Sequence, residues 1–338
     1  MSLKKLRLSN FTVFSKLDMD FSQGINIFVG ENGTGKTHIM KILYAACQAS
    51  RKDVSFSQKL VKVFRPDDLN IYRLVSRAKG GDTAQIEVVS ENSIIKTKFT
   101  TRTKKWEAET SGEAKWENTN SDLISTFIPA KEILANAYQF EAAYLKDIID
   151  FDETYLDIIT AAKIDINRGP NAVGKKKYLE KLKEITLGTV TISEEKFYLK
   201  PGTQAKIEFH LVAEGLRKLA LLWQLIKNGT LEKGTILFWD EPEANLNPKA
   251  IPTLVEILLE LQREGVQIFI STHDYVLSKY FEIRSMEADD IRYFSLFKNQ
   301  NDTVSFEQCR NFRELRENPI ISAYDRLLDE VLDKNMGD

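Results

Sequence analysis

An α/β fold with a mostly parallel core sheet, an antiparallel β lobe and a short helical insertion is predicted from three segments. The first is the apolar run Ile25-Asn26-Ile27-Phe28-Val29. It leads into Gly30-Glu31-Asn32-Gly33-Thr34-Gly35-Lys36-Thr37 and then His38-Ile39-Met40-Lys41-Ile42-Leu43-Tyr44. That order reads as a buried strand, a turn matching G-x-x-x-x-G-K-[ST] at every specified position, and a helix. The second segment is the apolar strand Thr235 to Trp239, which runs into Asp240-Glu241. The third is Val266 to Ile270, another apolar strand, ending in Ser271-Thr272-His273. Apolar strands separated by helices are the pattern of a parallel sheet covered on both faces. The phosphate-loop string makes the expected fold a P-loop NTPase.

Along the chain, Leu3 to Phe21 alternates in places and reads as one or two strands, and Ile39 to Gln48 as a helix. Ala84 to Val89, Ser93 to Phe99 and Lys105 to Ala108 read as an antiparallel meander, and the polar stretch Thr110 to Asp122 as a loop. From Ala130 to about Ile185 the pattern is helical. Ile133, Leu134, Ala137, Tyr138, Ala142, Leu145 and Ile148-Ile149 mark one face; Tyr155, Leu156, Ile159, Ala162 and Ile166 mark another. Arg168-Gly169-Pro170-Asn171 breaks this run, and Lys175 to Ile185 makes a basic helix. Lys175-Lys176-Lys177 with Lys181 and Lys183 either face solvent or touch a polyanion, and a solvated face is the commoner outcome.

Strands return at Thr189 to Ile192 and Ala205 to Phe209, followed by a helix from Gly215 to Lys227. A helix from Pro248 to about Glu264 links the second and third core segments and is closed by Gly265. The tail reads as a hairpin (Ile291 to Phe297, Thr303 to Phe306) and an amphipathic helix with Ile320, Ile321, Tyr324, Leu327, Leu328 and Val331. The expected divisions are 1–129 (phosphate loop and β lobe), 130–187 (helical insertion) and 188–338 (the second half of the phosphate-loop domain, with the strands ending at Asp240 and before His273).

The chemistry follows from these placements. Gly30, Gly33 and Gly35 allow the tight turn that aims backbone N–H groups at a polyphosphate, at the positive end of the next helix. Lys36 is expected to reach the β- and γ-phosphates, and Thr37 to bind Mg²⁺. The backbone N–H of His38 is placed to meet the α-phosphate, with no role for its imidazole. A glycine-rich turn that binds nothing would explain the glycines but not Lys-Thr at the helix start.

Asp240 arrives at the carboxyl end of a buried strand, where ligands sit in open α/β sheets, and is expected on Mg²⁺ directly or through water. Glu241 is the candidate to polarise an attacking water. His273 follows Asp240 by 33 residues, room for one helix and one strand, which brings it to the same sheet edge. A histidine ending a core strand is usually structural; here its imidazole could contact the γ-phosphate or the water. His210 has no such context.

Gly30 to Thr37, Asp240-Glu241-Pro242-Glu243-Ala244-Asn245-Leu246-Asn247-Pro248 and Ser271-Thr272-His273 together resemble the ATP-binding-cassette (ABC) ATPases. Within them the chain is most similar to the branch holding SMC proteins, RecF and the OLD (overcoming-lysogenisation-defect) ATPases, in the form of a stand-alone AAA-type ATPase domain. The resemblance implies ATP and Mg²⁺ as cofactors. It also implies that Gly30, Asn32, Gly33, Thr34, Gly35, Lys36, Thr37 and His38 form a Walker A loop, and that Asp240 with catalytic Glu241 forms a Walker B motif. A D-loop near Asn245 and a switch histidine at His273 follow too. The family's signature motif aligns with Val212-Ala213-Glu214-Gly215-Leu216: Gly215 fits, Ala213 replaces a serine, and Glu214 replaces a glycine. Phe127 to Glu132 resembles a segment of OLD-like ATPases, in which Lys131 would be a phosphate or partner contact or an ordinary surface lysine. The stretch after Ala130 sits where SMC proteins insert a long coiled coil, but is far too short to be one.

The chain has 338 residues, 43% hydrophobic and 28% charged, with a formal net charge of −2. That balance argues against a protein that coats nucleic acid by charge alone and leaves room for a local basic patch. Cys47 and Cys309 form neither a disulfide framework nor a C-x-x-C pair, and no apolar run approaches the ~18 residues of a bilayer span. A cytoplasmic location without membrane contact is expected. Three function classes compete. In the first, two copies sandwich two ATP molecules, with binding closing and hydrolysis opening the pair to act on an effector protein or on DNA, in DNA repair or antiphage defence. With 65 residues after His273, the separate nuclease domain of full OLD proteins is not expected here. The second is a non-catalytic, ATP-gated assembly module, and the third a transporter motor, which the altered signature disfavours. No N-K-x-D string supports a GTPase, and Asp240 lies 204 residues beyond Lys36.

Overall fold

The computed structural model describes residues 1–76, 81–166, 173–299 and 303–336. Strands β1 (Leu3–Phe11) and β2 (Phe14–Asp20) lead to β3 (Ile25–Gly30), helix α1 (Lys36–Gln48) and helix α2 (Phe56–Phe64). Then follow β4 (Thr83–Ser90), β5 (Ile94–Thr100), β6 (Glu109–Ser111), α3 (Glu113–Asn120) and β7 (Ser125–Ile128). Helices α4 (Phe140–Leu145), α5 (Glu153–Lys163) and α6 (Val173–Thr186) precede β8 (Thr189–Ser193), β9 (Lys196–Lys200) and β10 (Ile207–Glu208). The remainder is α7 (Glu214–Lys227), β11 (Ile236–Asp240), α8 (Ile251–Arg263), β12 (Gln267–Ser271), α9 (Tyr275–Arg284), β13 (Ile291–Lys298), β14 (Val304–Cys309) and α10 (Pro319–Met336).

The core sheet has the order β14-β13-β3-β12-β11-β7, and every pair in it is parallel except β13 with β14. β3, β11 and β12 are buried along their whole length, and their side chains alternate between two apolar layers. Ile25, Ile27, Val29, Leu237, Trp239, Ile268 and Ile270 pack against α7 and α8, while Phe28, Phe238 and Phe269 face α1 and the β lobe. On the second side, rings stack from strand to strand: Phe28 on Phe269 at 6.3 Å, Phe269 on Phe238 at 5.0 Å and Phe238 on Phe127 at 6.2 Å. Aromatic packing of this kind adds about 0.5–1.5 kcal/mol per pair beyond burial and helps fix the register. That register brings β3, β11 and β12 to an end at one sheet edge, which sets the site. The β lobe is a second, antiparallel sheet of order β2-β1-β4-β5-β6, and β10-β9-β8 form a small third sheet.

The structure departs from the sequence expectations in four places. The third strand of the meander is β6 at Glu109–Ser111, not Lys105 to Ala108, where Trp106 is 37% exposed. The expected loop Thr110 to Asp122 holds α3, because Trp116 is fully buried and its Nε1 donates to Ala46 O at 2.9 Å. The face drawn from Ile133 to Ile149 is not one helix. Left-handed Gln139 (φ +54) and Asp147 (φ +53) bound α4, and Tyr138, Leu145 and Ile148 are half exposed or more. In α10, Ile320 is buried but Tyr324, Leu327, Leu328 and Val331 are exposed. Of the basic run, Lys175, Lys181 and Lys183 are paired with Glu232, Glu256 and Glu180, which favours a solvated face over a polyanion contact. The break at Arg168 to Asn171 lies outside the described residues.

Candidate functional site

The turn after β3 has no alternative to glycine at its start. A Cβ on Gly30, with φ +144, would stand 2.2 Å from the carbonyl oxygen of Leu296 on β13. Gly33 and Gly35 also have positive φ, and Gly35 caps α1. Thr34 Oγ1 donates to Glu31 O at 2.8 Å and braces the turn, while Asn32 is exposed at its tip. Lys36 is buried, with Nζ donating to Gly30 O (2.8 Å) and Glu31 O (2.9 Å). Burial draws its pKa down to about 8 against the opposing pull of Asp240, Glu241, Glu243 and Glu31. The ammonium is therefore held inside the loop's curve, among carbonyls and facing four carboxylates.

Thr37 Oγ1 donates to Asp240, at 2.9 Å from Oδ2 and 3.1 Å from Oδ1. On the other side, Ser271 Oγ also donates to Asp240 Oδ1. A hydroxyl and a carboxylate converging at the phosphate loop are the hard oxygen donors that suit Mg²⁺. Among the described residues no group of three or more His, Cys, Asp and Glu side chains could hold a metal by itself. A cation here would complete its shell with water and nucleotide oxygens, the usual habit of Mg²⁺.

Glu241 follows β11 with φ +47, and its N–H donates to Ser271 O at 3.0 Å. This sharp turn sends its carboxylate toward β12's end, where His273 Nε2 lies 3.4 Å from Oε1. Burial and the charge of Lys36 lower the pKa of His273 against the pull of Glu241 and Asp240, which favours the neutral imidazole. Glu243 holds the segment after β12: its Oε1 accepts from Thr272 Oγ1 at 2.6 Å and from His273 N at 3.3 Å. Burial pushes its carboxyl up to about 7. One sheet edge thus gathers Lys36, Thr37, Asp240, Glu241 and His273.

Other expected residues lie elsewhere. The His38 imidazole turns to Thr12 Oγ1 (3.0 Å) and the Phe64 ring, and burial draws its pKa down to about 4. His210 and Lys131 are exposed. Gly215 and Asn245 meet each other, lining a hollow of about 440 Å³ with Ala213, Leu216 and Leu246 that includes no phosphate-loop residue. Sequence reasoning gave no role to Ser271, Glu243 or Lys218. Ser271 stands two residues before His273, and Lys218 shares the α7 face of fully buried Leu222 and Leu225, a visible signal for a buried cation.

Fold and site together define an ABC-type P-loop NTPase of the SMC/RecF-like class. The chain belongs to the family described as "AAA domain, putative AbiEii toxin, Type IV TA system", whose profile matches residues 25–279. It is similar to the DNA replication and repair protein RecF of Streptococcus suis, 30% identical over 96 residues, 28% of this chain and 26% of the relative. RecF of Clostridium kluyveri is 48% identical over 44 residues, 13% of this chain and 12% of the relative. The chain thus spans about a quarter or less of the length of these curated relatives. Among solved structures it is similar to an SMC head bound to the C-winged helix domain of ScpA, with TM-score 0.60 and 12% identity. That match covers 93% of this chain and 99% of the other. The SMC head domain from Thermotoga maritima matches with TM-score 0.52 and 12% identity, over 91% and 99% of the two chains. These likenesses establish the fold. No helix among the described residues is long and apolar enough to cross a membrane.

Proposed function

We propose that the protein binds ATP with Mg²⁺ and hydrolyses it, using the nucleotide to switch self-association that acts on a partner protein or on DNA. The observation that carries the reading is the contact between Thr37 Oγ1 and Asp240 at 2.9 Å, with Glu241 and His273 side by side at the same edge. Lys36 neutralises the β- and γ-phosphates, and the loop N–H groups from Gly30 to His38 cradle them. Thr37 and Asp240 would hold Mg²⁺, which would offset charge on the phosphates. Glu241 accepts a proton from the attacking water, and neutral His273, beside it, orients that water or donates to the γ-phosphate. Gly215 and Asn245 act as the surface presented to a second copy. RecF relatives support a DNA-related role, and a solved SMC head bound to a ScpA domain supports a protein effector. DNA repair and antiphage defence are both settings for such a switch, and a cytoplasmic site of action is part of this reading. The divisions 1–129, 130–187 and 188–338 belong to this reading as well.

The second reading, a module that binds ATP and assembles without turnover, is favoured by Ala213 and Glu214 in place of the signature serine and glycine. Single-turnover hydrolysis of radiolabelled ATP by the purified chain separates the two. Release of phosphate that depends on Mg²⁺ and is lost in Glu241→Gln supports hydrolysis. ATP binding without release in the wild type overturns it in favour of the assembly module.

A further inference from the structure

Lys218 stands on α7 one turn beyond Gly215, and only 1% of its surface is exposed. Lysine is almost never this buried without a partner. Its Nζ donates to the backbone carbonyl oxygen of Glu241 at 3.2 Å. Glu214 on its own helix and Glu243, Glu241 and Asp240 across from it all favour the ammonium form, against burial, which lowers the pKa. The carbonyl it reaches belongs to a residue with φ +47, a left-handed conformation that residues with a side chain rarely adopt and that surrounding contacts must impose.

The same turn of α7 grips the far end of this loop. A Cβ on Gly215 would lie 2.4 Å from Asn245 O and 2.9 Å from Leu246 Cα, so the helix backbone is pressed directly on the loop. Between these points the loop is closed by Ala244 N donating to Glu241 O at 3.1 Å and Leu246 N to Glu243 O at 2.9 Å. One helical turn therefore touches both ends of residues 241–246, by close packing at Asn245 and by a charge-assisted hydrogen bond at Glu241.

We propose that Lys218 is a positioning residue: it imposes the left-handed turn at Glu241 and so aims that carboxylate, coupling the Gly215 end of α7 to the hydrolytic step. This rests on the reading of Glu241 as the base. A buried ammonium that merely anchored α7 would affect the whole helix and the global stability, whereas a positioning role is confined to the loop and to turnover. A displacement of about 1 Å at a reacting group can cost on the order of 10² in rate.

The test compares full-length wild type, Lys218→Met, Lys218→Arg and Glu241→Gln. Hydrogen–deuterium exchange without nucleotide, ATP binding and steady-state hydrolysis are measured on each. In Lys218→Met, exchange over 241–247 should rise at least about tenfold while α8 and β12 keep wild-type protection, since loss of a local hold opens only its own segment. ATP affinity and KM should stay within about twofold, with kcat falling about 10- to 100-fold, and Lys218→Arg should recover part of it. Wild-type exchange at 241–247 overturns the proposal, as does exchange raised throughout the protein, or unchanged kcat in a folded Lys218→Met. If the wild type itself does not hydrolyse ATP, the reading of Glu241 fails, and the exchange result alone decides whether Lys218 holds the loop. Should Lys218→Met not fold, Lys218→Gln, which keeps a donor without the charge, carries the same readouts.

Discussion

Thr37 and Asp240 are separated by 203 residues in the chain, and their side-chain oxygens meet at 2.9 Å. The contact is a consequence of sheet order. β12 lies between β3 and β11, so the turn after β3 and the last residue of β11 emerge on the same edge, flanking Ser271. The hydroxyl and carboxylate that converge there are those a hydrated divalent cation would use.

Lys36→Ala tests binding first. Lys36 is the buried cation inside the phosphate loop, and its bonds to Gly30 O and Glu31 O are the ones a phosphate would replace. Charge-assisted hydrogen bonds are worth about 1.5–3 kcal/mol each, so ATP affinity should fall at least tenfold. Calorimetric titration of the folded variant checks this, and an unchanged Kd removes Lys36 from the site.

Glu241→Gln keeps the shape of the turn and leaves Thr37 and Asp240 in place. The variant should bind ATP as the wild type does and hydrolyse it about 10²- to 10⁴-fold more slowly, the usual contribution of a general base. Wild-type turnover in a phosphate-release assay would assign the base elsewhere, with His273, 3.4 Å away, the next residue to replace.

Glu243 gives a pH dependence whose sign is set by its burial. Its folded pKa of about 7 lies above the 4.5 of an ordinary glutamate, so between those limits the folded chain binds more protons than the unfolded chain. The Glu243 contribution is therefore full below about pH 4.5 and lost as pH rises to about 7, a change of order 1–3 kcal/mol. His38 acts with the opposite sign. Its folded pKa of about 4 lies below the 6.5 of a free imidazole, so its contribution falls as pH drops through that range. The informative quantity is the difference between wild type and Glu243→Gln in denaturant melts from pH 4.5 to 7.5. The variant should gain stability relative to wild type as pH rises; a difference that stays flat shows that Glu243 is ionised in the folded chain.

The phosphate loop, the strand ending at Asp240 and the strand before His273 are legible in the sequence because each is contiguous: an apolar run followed at once by its polar residues. Sequence spacing was misleading where the decisive contact is distant or the backbone turns left-handed. Trp116 sits in a polar stretch, and only its burial against α1 and its bond to Ala46 O make α3. Ile133 to Ile149 has helical spacing, but positive φ at Gln139 and Asp147 interrupts it. Glu243 lies inside the acidic segment that follows Asp240, yet its partners Thr272 and His273 are 29 and 30 residues away and are brought to it by the β11–β12 pairing.

Self-association is the last expectation, and Gly215 is its probe. In the proposed switch, the hollow around Gly215 and Asn245 faces the nucleotide of a second copy. Gly215 is the second residue of α7, whose N-terminal N–H groups favour a phosphate even with Ala213 in the serine position. Glu214 opposes this, because a carboxylate near a γ-phosphate repels it. The pair should therefore be weak, dependent on Mg-ATP, and more populated in Glu241→Gln, where ATP persists, than in the wild type. Gly215→Asp should abolish it twice over: it adds a second negative charge, and its Cβ displaces the Asn245 backbone, 2.4 Å from that position. Because Gly215 lines no part of the phosphate loop, the variant should still bind ATP as a monomer, which separates lost pairing from lost binding. Multi-angle light scattering with and without Mg-ATP checks this. The expected result is a doubling of mass in Glu241→Gln that is absent in the double variant with Gly215→Asp. A mass that never responds to nucleotide in wild type or Glu241→Gln rules out the switch and leaves the chemistry at Lys36, Asp240 and Glu241 to act within one chain or a constitutive assembly.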